Sequence, residues 1–260
     1  MSDLRKDLDD HRLASRLATA AGEVLLALRG TQPPADPAAL RAEGDQRAHR
    51  FLVEQLAALR PRDAVLSEEG ADDPVRLLAE RVWIVDPLDG TREFGEVPRD
   101  DWAVHVALWE RGELTAGAVA RPARGSTLGT DAAPVLVSRQ PGPIRLAVSR
   151  TRPPVFVTRL AEHLGAELVP MGSAGIKACS VLDGTTDAYV HAGGQYEWDS
   201  AAPVAVARAA GLHTSRIDGS PLVYNRRDPL LPDLLICRPE LAAQILTALA
   251  EMADYQEAVR

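Results

Sequence analysis

Residues 82–91 read V-W-I-V-D-P-L-D-G-T, an apolar run that ends on two aspartates three positions apart. On an unbroken strand Asp86 and Asp89 would face opposite sides. Pro87 removes a ladder donor and holds Asp86 extended, so a bend there brings both carboxylates together. Asp89-Gly90-Thr91 then reads as a helix start whose free N–H groups can meet a phosphate. Two neighbouring anions call for a cation. A hard divalent ion such as Mg2+, which takes carboxylate oxygens and completes its shell with water and phosphate oxygens, fits that inventory. The competing reading is a plain turn with a capping aspartate, because Asp-Pro and Asp-Gly are common turn dipeptides. Two further places carry acids at the end of an element: Glu68 and Glu69 in L-S-E-E-G, and Asp199 in E-W-D-S-A-A. Taken alone, each reads more readily as a solvated edge charge or a plain N-cap; their coincidence favours the metal–phosphate reading. Covalent aspartyl-phosphate chemistry needs its two acids two residues apart, and here the spacing is three.

The elements that must position these acids come from periodicity. Leu4, Leu8, Leu13, Leu17, Val24 and Leu28 recur at helical spacing, and Gly30 before Q-P-P is a stop signal. A second helix, roughly Asp45 to Leu59, carries Ala48, Phe51, Leu52, Leu56 and Leu59 on one face, with Asp45 at its start. The strand A-V-L-S leads into Glu68, and V-W-I-V leads into Asp86. Residues 102–109, the turn E-R-G-E and L-T-A-G-A-V-A form a hairpin, and 122–134 is a subdomain boundary or a further sheet excursion. The second half alternates strands with helices over Pro154 to Gly165, Ser173 to about Val181, Asp199 to Ala210 and from about Glu240. That order is an α/β sandwich.

The 260 residues, 46% apolar and 25% charged, suffice for one large domain or two modest ones. A net charge of -8 with scattered basic residues argues against a nucleic-acid partner. Cys179 and Cys237 form neither a disulfide framework nor a metal knuckle. No stretch approaches the ~18 apolar residues of a membrane span, so the expectation is a cytoplasmic protein with no membrane partner.

S-E-E-G, W-I-V-D-P-L-D-G-T, G-S-A-G-I-K and E-W-D-S-A-A-P-V-A-V-A-R-A-A-G, in this order and at these separations, resemble the inositol monophosphatase superfamily of lithium-sensitive, magnesium-dependent phosphatases. The likeness runs from about Asp45 to Asn225. Arg92 and Glu93, in T-R-E-F, make it similar to the CysQ-type 3'-phosphoadenosine 5'-phosphate phosphatases within that superfamily. One departure is A-A-G-L-H in place of the usual A-G-G after Asp199, a packing position.

The resemblance implies a layered α-β-α-β-α sandwich of the inositol monophosphatase / fructose bisphosphatase type. It implies a single phosphatase domain over 1–260, with subdomains 1–130 and 131–260. Glu68, Asp86 and the Leu88 carbonyl would hold one Mg2+, and Asp86, Asp89 and Asp199 a second, with a weaker third near Glu68. Thr91, hydrogen-bonded through Asp45, would position the attacking water and accept its proton, and Asp45 must supply the basicity. Gly90 and Thr91 N–H groups would cradle the phosphate, with Arg92, Ser173, Lys177 and Asp199 as further substrate contacts. A homodimer is the family expectation.

Lys177 is one of only two lysines, so it either approaches a phosphate or is an exposed solvating residue. Ser173 binds phosphate or ribose, or simply caps its helix. Tyr196 and Trp198 offer a stacking surface for adenine or pack as core. The six histidines show no ligand spacing and receive no role. Three functions are compatible: a phosphatase of 3'-phosphoadenosine 5'-phosphate; the same chemistry on inositol phosphate or fructose bisphosphate; or a catalytically silent metal- or nucleotide-binding protein, which loss of Thr91 or of an acid would have favoured.

Overall fold

The computed structural model describes residues 8–31 and 36–252. Helix α1 (Asp10–Thr31) buries Leu13, Leu17, Leu25 and Leu28. Leu25 rather than Val24 takes the core position, the helix runs one residue past Gly30, and Leu4 lies outside the described residues. Helix α2 (Pro37–Leu59) begins eight residues earlier than its periodicity suggested. Asp36 accepts the N–H groups of Ala38 and Ala39, and Pro37 occupies the first turn. The buried stripe therefore starts at Leu40 and continues through Gly44, Ala48, Leu52 and Leu56. Asp45 sits mid-helix, not at its start.

Strands β1 (Ala64–Ser67), β2 (Arg81–Asp89), β3 (Ala103–Glu110), β4 (Glu113–Arg121) and β5 (Ser126–Gly129) form one sheet in that order. β1 and β2 are parallel and the rest antiparallel. The segment after Arg121 is thus a sheet excursion. A second sheet has the order β7 (Glu167–Met171), β6 (Arg145–Ser149), β8 (Ala188–Tyr196), β10 (Leu230–Cys237), β9 (His213–Ser215).

The burial pattern sorts the helices into layers. α1 and α2 cover the outer face of the first sheet through Trp83, Val85, Val104 and Val106. α5 (Ala174–Leu182) and α6 (Glu197–Ala209) fill the space between the sheets against Val82, Ile84, Ala103 and Tyr189. α4 (Val155–Leu164) and α7 (Ala242–Glu251) cover the far face of the second sheet. The result is the expected α-β-α-β-α sandwich. Among the described residues no helix is long and apolar enough to cross a membrane.

Candidate active site

β2 does not stop at Pro87. It continues to Asp89 through a bulge, with Asp86 opposite His105 and Asp89 opposite Ala103, so three steps on β2 match two on β3. The extra residue restores parity. Both aspartates face the central layer, the side that Val82 and Ile84 also face. Pro87 is accommodated at this irregularity, and Gly90, in the left-handed region at φ +86°, turns the chain into the short helix α3 (Thr91–Gly95).

Asp199 approaches the same point from the second half. It is the third residue of α6, not its N-cap, and its Oδ2 accepts the N–H of Tyr196 at 2.7 Å. One ligand oxygen from each of Asp86, Asp89 and Asp199 lies within 4.8 Å of the others, and these form the one such acid group among the described residues. Glu68, just past the end of β1, lies near enough to Asp86 for the two carboxyls to influence each other. All these donors are hard oxygens, the set a divalent cation takes.

Asp89 is the most firmly held. Its Oδ2 accepts the Gly175 N–H at 2.7 Å and a short hydrogen bond from Ser173 Oγ, and its Oδ1 accepts the Ala174 N–H at 3.0 Å. Burial opposes its charge, but His105, Lys177 and Ser173 outweigh that and hold it below the usual carboxylate range. Asp86 behaves oppositely. Its burial, with Glu68, Asp89 and Asp199 around it, drives it well above that range. Loss of hydration, with the neighbouring charges adding, pushes Glu68, Asp199 and Asp45 each up to about 7. The cation-free cluster therefore retains protons that a divalent ion would displace.

Asp45 reaches the site because α2 lies close against the turn. A Cβ on Gly44 would sit 2.8 Å from the Phe94 ring and 3.0 Å from Leu88, so only glycine permits this approach. Thr91 Oγ1 lies 3.3 Å from Asp45 Oδ1 and 3.0 Å from the Leu88 carbonyl oxygen, and it can donate to either. The Leu88 N–H donates to Asp86 Oδ1 at 3.0 Å.

The remaining candidates are placed as follows. Arg92 is exposed at the rim. Ser173 caps α5, accepting the Ile176 N–H at 3.0 Å, while its hydroxyl donates to Asp89. Lys177 is buried, which overturns the exposed-lysine reading: its Nζ donates to the Ser173 carbonyl at 2.7 Å and lies 5.4 Å from the centre of the Tyr189 ring. Tyr196 and Trp198 stack on each other, 4.7 Å between centroids, with Tyr196 41% exposed beside Asp199. Two contributors were not legible. His105, fully buried, has Nε2 3.1 Å from Asp89 Oδ2 and Nδ1 3.1 Å from the Trp198 carbonyl oxygen. Glu197 accepts the N–H groups of Asn225 and Arg226, fixing the late turn against α6. Alternation in W-A-V-H-V-A placed His105 on one face but gave no sign of what it meets.

A two-sheet sandwich with this acid cluster at a strand end is the architecture of a metal-dependent phosphatase family. The chain belongs to the inositol monophosphatase family, whose model matches residues 11–253. It is 51% identical to a Mycobacterium leprae (strain TN) protein named 3'-phosphoadenosine 5'-phosphate phosphatase, over 96% of this chain and 97% of that one. It is 32% identical to the 3'(2'),5'-bisphosphate nucleotidase CysQ of Escherichia coli (strain K12), over 83% and 94% respectively. The crystal structure of CysQ from Bacteroides thetaiotaomicron, a bacterial member of the family, aligns with a TM-score of 0.75 at 26% identity, covering 90% of this chain and 99% of that one.

Proposed function

We propose that the chain is a Mg2+-dependent phosphomonoesterase that converts 3'-phosphoadenosine 5'-phosphate and water to AMP and phosphate, in cytoplasmic sulfur metabolism. The observation that carries this reading is the convergence of Glu68, Asp86, Asp89 and Asp199 beside the Thr91–Asp45 pair. The names of the relatives and the T-R-E-F sequence support the choice of substrate.

Glu68, Asp86 and the Leu88 carbonyl would hold one Mg2+ and Asp86, Asp89 and Asp199 a second, with room for a weaker third near Glu68. Bound there, the ions would acidify a water and neutralise charge on the leaving oxygen. Thr91 Oγ1 orients that water and relays its proton to Asp45, whose pKa of about 7 suits a base at neutral pH. The water oxygen bonds to phosphorus as the phosphorus–O3' bond breaks, and the departing O3' takes up a proton from solvent water to give the 3'-hydroxyl of AMP. Gly90 and Thr91 N–H groups cradle the phosphate, and Arg92 at the rim meets the nucleotide. Ser173, Lys177 and Asp199 complete the substrate contacts, with Ser173 also holding Asp89 and Lys177 the start of α5. Residues 1–130 and 131–260 act as one catalytic unit, since Asp199 comes from the second part, and two such chains pair as a homodimer.

The test is phosphate release from 3'-phosphoadenosine 5'-phosphate, inositol 1-phosphate and fructose 1,6-bisphosphate, with and without Mg2+, compared by kcat/KM. A Mg2+-dependent preference for the adenosine bisphosphate is expected. A flat profile would mean a broad sugar-phosphate phosphatase, and no release from any substrate a silent binder.

A further inference from the structure

The acid cluster is assembled from two distant stretches of chain, 86–89 and 199, and one side chain touches Asp89 in the first and the residue before Asp199 in the second. His105 stands opposite Asp86 in the β2–β3 ladder. Its Nε2 is 3.1 Å from Asp89 Oδ2, and its Nδ1 is 3.1 Å from the carbonyl oxygen of Trp198, the residue before Asp199. The ring is wholly buried; Nδ1 is hydrogen-bonded to the Trp198 carbonyl, while Nε2 lies against Asp89 Oδ2 without an aligned hydrogen bond. Space for it is made by Gly175, where a Cβ would lie 2.1 Å from Nε2. The same Gly175 donates its N–H to the Asp89 oxygen that faces the imidazole. Strand β3 and helix α5 are thus shaped around this ring.

We propose that His105 is a positioning residue for the divalent-cation site: it clamps Asp89 from the first half and the start of α6 from the second at the separation the ion requires. This rests on the metal reading given above. A ring that fixes a ligand carboxylate on one side and the backbone beside another ligand on the other reduces the reorganisation needed when the ion binds. It acts through Asp89 and Asp199 and does not touch substrate.

The test is titration with Mn2+, read by electron paramagnetic resonance and by calorimetry, on wild type, H105N, H105Q and G175A, with folding checked by circular dichroism. Clear Mn2+ binding to wild type is expected, with affinity reduced about 10- to 100-fold in H105N and G175A, the scale of lost outer-shell support. H105Q, longer and able to donate to Asp89, recovers part of the loss. G175A costs nothing further in the H105N background, because both changes break one contact. In turnover assays the half-activating Mg2+ concentration rises while kcat at saturating Mg2+ stays within about threefold, which general structural damage would not produce. Equal or tighter Mn2+ binding by folded H105N or G175A overturns the proposal. Absence of binding to wild type would overturn the metal reading itself.

Discussion

At the scale of single residues, the site is a set of carboxylates placed closer together than their charges favour. Asp86 carries most of that strain, being wholly buried with three acids around it. Asp86→Asn is expected to lower kcat more than about a hundredfold, since lost outer-shell support alone reaches that size. The same change should raise the melting temperature of the metal-free protein at pH 8 by about 2–4 °C for each kcal/mol of repulsion removed. Phosphate release and calorimetry check the two halves, and retained turnover would sink the metal assignment. Protonation gives a second prediction. Asp45, Glu68 and Asp199 titrate near 7 in the folded chain, against ordinary values of 3.8 or 4.5. The native state therefore binds more protons than the unfolded chain between about pH 4 and 7, so metal-free stability falls as pH rises through that window. Urea melts with a chelator at pH 5, 6, 7 and 8 should show the decline, and added Mg2+ should restore most stability at the highest pH.

At the scale of elements, the chemistry depends on how closely α2 approaches the β2–α3 turn. Gly44 sets that distance, with Phe94 and Leu88 already in contact where a Cβ would be. Gly44→Val should lift the helix, lengthen the Thr91–Asp45 contact and lower kcat about tenfold or more. Overpacking should also remove about 1–3 kcal/mol of stability. Denaturant melts and turnover at saturating Mg2+ measure both; unchanged kcat would free Asp45 from its assigned role. The β2 bulge is the other decisive element, because without its extra residue one of the two aspartates would point at the outer helices.

At the scale of the whole molecule, the loop after Glu68 is tied to the late turn across the sequence. Arg76, only 1% exposed, pairs with Asp72, donates to Asn225 Oδ1 at 2.7 Å and to the Arg226 carbonyl at 2.8 Å. Asn225 and Arg226 in turn donate to Glu197, two residues from Asp199. Arg76→Met should destabilise by about 2–3 kcal/mol, below the cost of breaking a fully buried pair because Asp72 can regain water. It should also raise the Mg2+ concentration needed for half-activation, since both ends of the acid cluster lose their tether. Thermal melts and Mg2+ titrations of activity read the two effects.

What the sequence determined by itself is local. The i, i+4 stripe of α1, the alternation of β3, the hairpin turn and the acids at the strand ends depend on neighbours within a few residues, and each was legible there. The layer order followed from the alternation of these elements and from the motifs that resemble a known family. Where local signals competed, the tertiary structure decided. α2 extends to Pro37 because Leu40 finds a core to bury in, so Asp45 is offered from a helix face. Asp199 lies inside its helix, and Lys177 is buried between sheets. His105 gave no motif because its partners lie 16 residues back and 93 residues ahead. Alternation tells which face a side chain takes, but what meets it there is set by the packing of sheet on helix, which no local pattern encodes.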